Sequence, residues 1–226
     1  MRPLGGKTAL VTGASRGVGR ASALALAKAG AQVLVHYCGE DTATTEVVSQ
    51  IRAAGGHAEK IAADLRAPDG PHRLASRARV VIGARLDVLV SSAGMTKDAS
   101  IEDTTVEDFD ALFALNVRAP YFLVQQLMPA MCKGSSVVLV SSPTPQAWVA
   151  SASASAYAAT QGAVDTLVKH FATTLGARGV RVNAIAPLLA RIVQPGDIGG
   201  TVVFLASDAA RGMTGETLCV DGVSKL

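Results

Sequence analysis

Short apolar runs alternate with longer stretches of helical periodicity along the whole chain. Residues 8–11, 31–35, 58–63, 87–91, 136–141, 181–186 and 217–220 read as strands, each a brief block with a Gly, Pro or Asp close to one end. Between them an alanine-rich stretch ending at Ala29, then 41–54 closed by Gly55-Gly56, 71–82, 105–131, 155–175 and 197–207 read as helices. Strand and helix in strict succession predict an α/β fold: a doubly wound parallel sheet (Rossmann) in three αβα layers. No linker or internal repeat interrupts the pattern, so residues 1–226 read as a single dinucleotide-binding domain.

The first strand runs directly into Thr12-Gly13-Ala14-Ser15-Arg16-Gly17-Val18-Gly19 and then into the first helix. Glycine serves where the backbone turns with positive φ, and where an anion must approach main-chain N–H groups at a helix N-terminus. Gly13, Ser15, Arg16, Gly17, Val18 and Gly19 are therefore candidates for holding a cofactor pyrophosphate.

This loop resembles the Thr-Gly-x-x-x-Gly-x-Gly motif of the short-chain dehydrogenase/reductase family, and the likeness extends over nearly the whole chain. Ser91-Ser92-Ala93-Gly94 stands where that family usually reads Asn-Asn-Ala-Gly, and Asp64-Leu65 resembles its adenine-binding pair. The resemblance implies hydride transfer between a nicotinamide and a carbonyl or alcohol carbon. It assigns the proton to Tyr157, orientation of the substrate oxygen to Ser142, and a water of the proton relay to Asn116. It also places Ser92, Ala93, Gly94, Tyr157 and Pro187 beside the cofactor. The Ser142-to-Tyr157 spacing is longer than the family's by a residue or two, which leaves Thr144 as an alternative hydroxyl; the strand-end position of Ser142 favours Ser142.

Two departures from the family pattern stand out. Tyr157-Ala-Ala-Thr-Gln161 has glutamine where the family has lysine. A cation about 5 Å from a phenolate contributes about 3 kcal/mol at an effective dielectric near 20, equivalent to about two units of tyrosine acidity. Gln161 can hydrogen-bond a ribose but carries no charge, and Lys169 lies about 18 Å farther along the same helix. The family's Pro-Gly becomes Pro187-Leu188, and the substrate-covering segment expected before Arg191 is shortened. These departures leave a second reading open, a catalytically impaired nucleotide-binding or scaffold subunit.

An acidic residue at the end of the second strand would hydrogen-bond the adenosine ribose and repel a 2′-phosphate. His36-Tyr37 stands there instead, and Arg16 supplies a cation suited to a phosphate oxygen, so NADP(H) is favoured over NAD(H).

Composition narrows the remaining classes. Hydrophobic residues make up 49% of the 226 and charged residues 17%, which suits a sheet buried on both faces. The net charge of +3 comes from scattered cations, which argues against a nucleic-acid footprint. Cys38, Cys132 and Cys219 are far apart, with no spacing for a zinc site or a disulfide framework. No apolar run suggests a membrane span or a leader, so a cytoplasmic location is expected. The terminal Ser224-Lys225-Leu226 matches a peroxisomal address if the source is eukaryotic. A small carbonyl or alcohol substrate and a homodimer or homotetramer, paired through the helices that begin near Thr105 and Ser155, complete the expectation.

Overall fold

The computed structural model describes residues 2–39, 42–142, 154–187 and 195–220. Thr144, the segment that follows Pro187 and the terminal Ser224-Lys225-Leu226 lie outside the described residues. Seven strands form one sheet: β1 (Thr8–Val11), β2 (Gln32–Tyr37), β3 (His57–Ala62), β4 (Val88–Ser91), β5 (Ser136–Val140), β6 (Arg181–Pro187) and β7 (Thr217–Val220). Their spatial order is β3-β2-β1-β4-β5-β6-β7, and every pairing is parallel.

The helices are α1 (Gly17–Lys28), α2 (Thr42–Ala53), α3 (Gly70–Ile82), α4 (Val106–Phe113), α5 (Ala119–Leu127), α6 (Ser155–Gly176) and α7 (Pro195–Ala206). The pleat sorts the strand residues between the two helical layers. Val11, Val33, Val35, Val90 and Val138 point to one face and pack with Leu26, Ile51 and Val202 of α1, α2 and α7. Leu10, Leu34, Leu89 and Leu139 point to the other, where Leu74, Leu123, Val164 and Val168 of α3, α5 and α6 cover them. A period-two strand buried on both sides requires apolar residues at every position, which explains the continuous runs in the sequence.

The single helix expected over 105–131 is divided. Ala114–Arg118 forms a π-turn between α4 and α5, and Met128–Ala130 a short 3₁₀ turn after them. Ala119 donates to the carbonyl of Ala114, five residues back, and Pro120 has no N–H to give the carbonyl of Asn116. The wider turn carries Asn116, which is buried. β2 extends two residues beyond the expected 31–35, so His36 and Tyr37 belong to the sheet rather than to a loop.

Candidate active site

β1 lies between β2 and β4, the point where the chain reverses its direction of winding and opens a crevice at the strand C-termini. The glycine loop occupies this point. Gly13 has φ +61°, and a Cβ there would stand 2.8 Å from Cα of Ala93, so the loop and the Ser92-Ala93-Gly94 turn fit only without that side chain. Gly19 is needed for a second contact, since its Cβ would meet the Gly13 carbonyl oxygen at 2.3 Å. Thr12, fully buried, accepts from the backbone N–H groups of Ser92 and Ala93, each at 3.0 Å, and joins the loop to the end of β4. Arg16 is the extended residue at the N-terminus of α1, is exposed and lines the cleft.

His36 holds the other side of the loop. Its Nδ1 accepts from Gly13 N–H at 3.1 Å, its carbonyl accepts from Ala14 N–H at 3.0 Å, and its Nε2 lies 3.1 Å from the Ala63 carbonyl. These partners require the neutral tautomer with the proton on Nε2, and burial lowers the imidazole pKa from 6.5 to about 4. The side chain is 2% exposed with both ring nitrogens committed to backbone, so it does not offer a nitrogen to a phosphate.

Next to it, Asp64 accepts from the backbone N–H of Arg66 at 2.9 Å and pairs with the Arg66 guanidinium at 3.4 Å. The Arg66 N–H, followed by its charge, holds the Asp64 carboxyl below the usual range against the effect of burial. Burial pushes the Cys38 thiol up and the Asp64 carboxylate adds to the shift, so this thiol is a protonated donor to the carboxylate. Arg118, from the π-turn, donates to the Arg66 carbonyl and connects the Asp64 end of the cleft to the turn that carries Asn116.

At the far end, Ser142 follows β5 and Tyr157 lies in the first turn of α6, and their hydroxyls are hydrogen-bonded. Burial raises the Tyr157 phenol above the usual tyrosine range, and the bond with Ser142 opposes the shift without cancelling it. One turn on, Gln161 is buried and donates through Nε2 to Thr160 Oγ1 at 3.1 Å. The same hydroxyl accepts from Asn116 Nδ2 at 3.1 Å and donates to the Tyr157 carbonyl at 2.7 Å. Asn116 also bonds both backbone groups of Met95, accepting from its N–H and donating to its carbonyl, each at 2.9 Å.

One cleft of about 940 Å³ is lined by every site residue singled out in the sequence except Gly17 and Gly19. Gly19 supports it from beneath. The structure adds residues that sequence reasoning missed: Thr160, Arg66, Cys38 and Asp165. Asp165 lies two turns after Tyr157 and accepts from Ser141 at 3.0 Å and Thr217 at 3.1 Å, which anchors the residue before Ser142. A polar residue on the otherwise apolar inner face of a helix was the available signal for Thr160 and Asp165. Arg66 and Cys38 had none beyond adjacency to predicted site residues.

A glycine loop at the switch point and a hydroxyl–phenol pair at the opposite end of one cleft define an α/β protein suited to a dinucleotide. The short chain dehydrogenase family model matches residues 7–194, and that of the enoyl-(acyl carrier protein) reductases matches 188–222. The chain belongs to the short-chain dehydrogenase/reductase family, whose members are oxidoreductases. It is 33% identical to versicolorin reductase stcU of Emericella nidulans over 254 residues, covering 97% of this chain and 96% of that one. That span exceeds the 226 residues here, so the relative has residues without counterpart in this chain. A 3-oxoacyl-[acyl-carrier-protein] reductase of Synechocystis sp. is 35% identical, with 98% of each chain covered. Among solved structures, landomycin C-6 ketoreductase LanV with bound NADP and rabelomycin superimposes with a TM-score of 0.90 at 37% identity, covering 97% of this chain and 96% of that one. Among the described residues no helix is long and apolar enough to cross a membrane.

Proposed function

We propose that the protein is an NADP(H)-dependent reductase of small carbonyl compounds, working in the reductive direction near neutral pH. The observation that carries this reading is the hydrogen-bonded Ser142–Tyr157 pair in the same cleft as the glycine loop. The dihydronicotinamide, when bound, supplies the hydride to the carbonyl carbon. Ser142 donates to the carbonyl oxygen, and Tyr157 transfers its phenolic proton to that oxygen as the alcohol forms. A phenol raised above its usual range is protonated at neutral pH, so the proton is present for the reductive direction while the oxidative direction lacks a base.

Ser15, Gly17 and Val18 would hold the pyrophosphate at the N-terminus of α1, with Gly13 and Gly19 shaping the turn. Asp64 and Leu65 would take the adenine, Ser92, Ala93, Gly94 and Pro187 would flank the nicotinamide half, and Gln161 would hold the ribose. Arg16 favours the 2′-phosphate, because no carboxylate stands at the end of β2 to repel it. Asn116 would position a relay water. A carbonyl panel with NADPH oxidation as the signal tests the reading: turnover lost in both Tyr157→Phe and Ser142→Ala supports it, and unchanged turnover in Tyr157→Phe overturns it.

The neutral Gln161, beside a phenol of raised pKa, favours a second reading, a subunit that binds the nucleotide but turns over poorly or not at all. NADPH binding without oxidation of any panel member would identify it. In either reading the subunit assembles with copies of itself through the α4–α5 and α6 surfaces, where Phe109 and Tyr121 are 42% and 41% exposed.

A further inference from the structure

We propose that His36 is a positioning residue that clamps the phosphate-binding loop to the adenine-binding loop, and that it sets affinity for the shared part of the dinucleotide rather than selecting the 2′-phosphate. The proposal rests on the reading above that the cleft holds a nicotinamide dinucleotide, but not on which one.

Three bonds from one residue meet at this point. The first two loop amides after Thr12 are both taken by His36, Gly13 N–H by the ring and Ala14 N–H by the carbonyl. The opposite ring nitrogen reaches the carbonyl of Ala63, the residue that precedes Asp64. Tyr37 strengthens the junction from the backbone, since its carbonyl accepts from Ala63 N–H at 3.1 Å. The strand β2 therefore holds both loops, and a neutral imidazole is the side chain that accepts on one edge and donates on the other.

The clamp also orients the amides that remain. With Gly13 N–H and Ala14 N–H directed into β2, the cofactor pyrophosphate is left to the N–H groups at the start of α1, beyond Ser15. An unanchored Gly13, with its positive φ, would have to lose loop freedom at each binding event, which weakens affinity for any ligand that uses the loop. Arg16, on the outer side of the loop and exposed, is spatially free of these bonds and retains the discriminating role.

Two substitutions separate the bonds. His36→Asn keeps an acceptor two bonds from Cβ, where Nδ1 stands, and so preserves the Gly13 contact; His36→Leu fills the space and removes both ring contacts. Dissociation constants for NADPH and NADH, measured by fluorescence titration on the full chain, are the readout. The expected result is roughly a tenfold or greater weakening of both cofactors in His36→Leu, from one buried donor left unpaired. The ratio between the cofactors should be unchanged, and His36→Asn, which keeps the Gly13 contact and loses the one to Ala63, should weaken both cofactors less than His36→Leu does.

Loss of NADPH affinity alone would overturn the proposal and make His36 a phosphate reader. Equal weakening in the leucine and asparagine variants, or none in either, would overturn it as well. If the leucine protein fails to fold, His36→Gln replaces it, because glutamine carries its carboxamide one bond farther out than Nδ1, towards Ala63 and away from Gly13; it should weaken both cofactors, and parental affinity would overturn the clamp. Equal parental affinities for NADPH and NADH would refute the cofactor preference and leave these outcomes intact.

Discussion

The Asn116 carboxamide donates to the Thr160 hydroxyl at 3.1 Å across the interface between the π-turn and α6. Thr160 is fully buried, and its hydroxyl has one proton and two lone pairs, all in use: the Tyr157 carbonyl receives the proton, while Asn116 and Gln161 each donate. Asn116 and Gln161 are thus held by a single neutral atom.

Replacing Thr160 by Val keeps the shape and removes that atom. Two buried donors lose their acceptor, so unfolding free energy should fall by about 2–5 kcal/mol, with Thr160→Ser recovering most of it. Urea denaturation measures the loss. If the network also orders the site, kcat should drop more than KM rises, and the serine variant should recover that too.

Gln161→Lys should raise reductase turnover. The added ammonium stabilises the phenolate and should lower the Tyr157 pKa from its raised position. In the reductive direction the protonated phenol is the active form, so the alkaline limb of the pH–rate profile should move down towards neutrality in the lysine variant. Tyr157→Phe in the same background should remove the gain. A lysine variant that binds NADPH but stays inert would move attention to the short connection after Pro187.

Arg16→Glu should invert or abolish the preference for NADPH, by replacing a phosphate partner with a like charge. Titration with NADPH and NADH before and after the substitution is sufficient. A ratio that does not change would refute the assignment of Arg16.

The buried neutral His36 contributes to acid sensitivity with a defined sign. Its folded pKa of about 4 lies below the unfolded 6.5, so below pH 6.5 the unfolded chain binds a proton that the folded protein refuses. Its stabilisation is complete above about pH 6.5 and is lost progressively as pH falls towards 4, amounting to on the order of 3 kcal/mol. Asp64 opposes this by favouring the charged imidazole, and its own lowered carboxyl pKa places its acid loss below the ordinary carboxylate range. His36→Asn should flatten the stability curve between pH 6.5 and 4 while leaving the lower region in place.

Light scattering at micromolar concentration should show a dimer or tetramer. Phe109→Asp combined with Tyr121→Asp should shift it towards monomer, because a charge on each exposed ring opposes burial of the α4–α5 face. A parent protein that is already monomeric would refute the assembly.

The alternation of strand and helix was legible without coordinates because both periodicities are local, as was the glycine loop, where the lack of a side chain is itself the signal. All the cleft residues singled out, apart from Gly17 and Gly19, line one cavity for the same reason: in a parallel sheet the strand C-termini lie together, so residues recognised at strand ends converge. The division of the 105–131 helix was less legible. Pro120 was visible, but whether a helix kinks, ends or widens at a proline depends on what its neighbours can bond.

What the amino-acid order determined by itself was the class of fold, the place of the glycine loop, the Tyr157–Gln161 spacing and the missing charge at 161. Only the tertiary structure decided that His36 faces inward to clamp two loops, that Thr160 joins Asn116 to Gln161, and that Asp165 anchors Ser141 to Thr217. Each of these depends on side chains 23 to 52 residues apart in the chain. Their meeting follows from strand register and helix packing, where a displacement of one residue would turn the same side chain to the other face of the sheet.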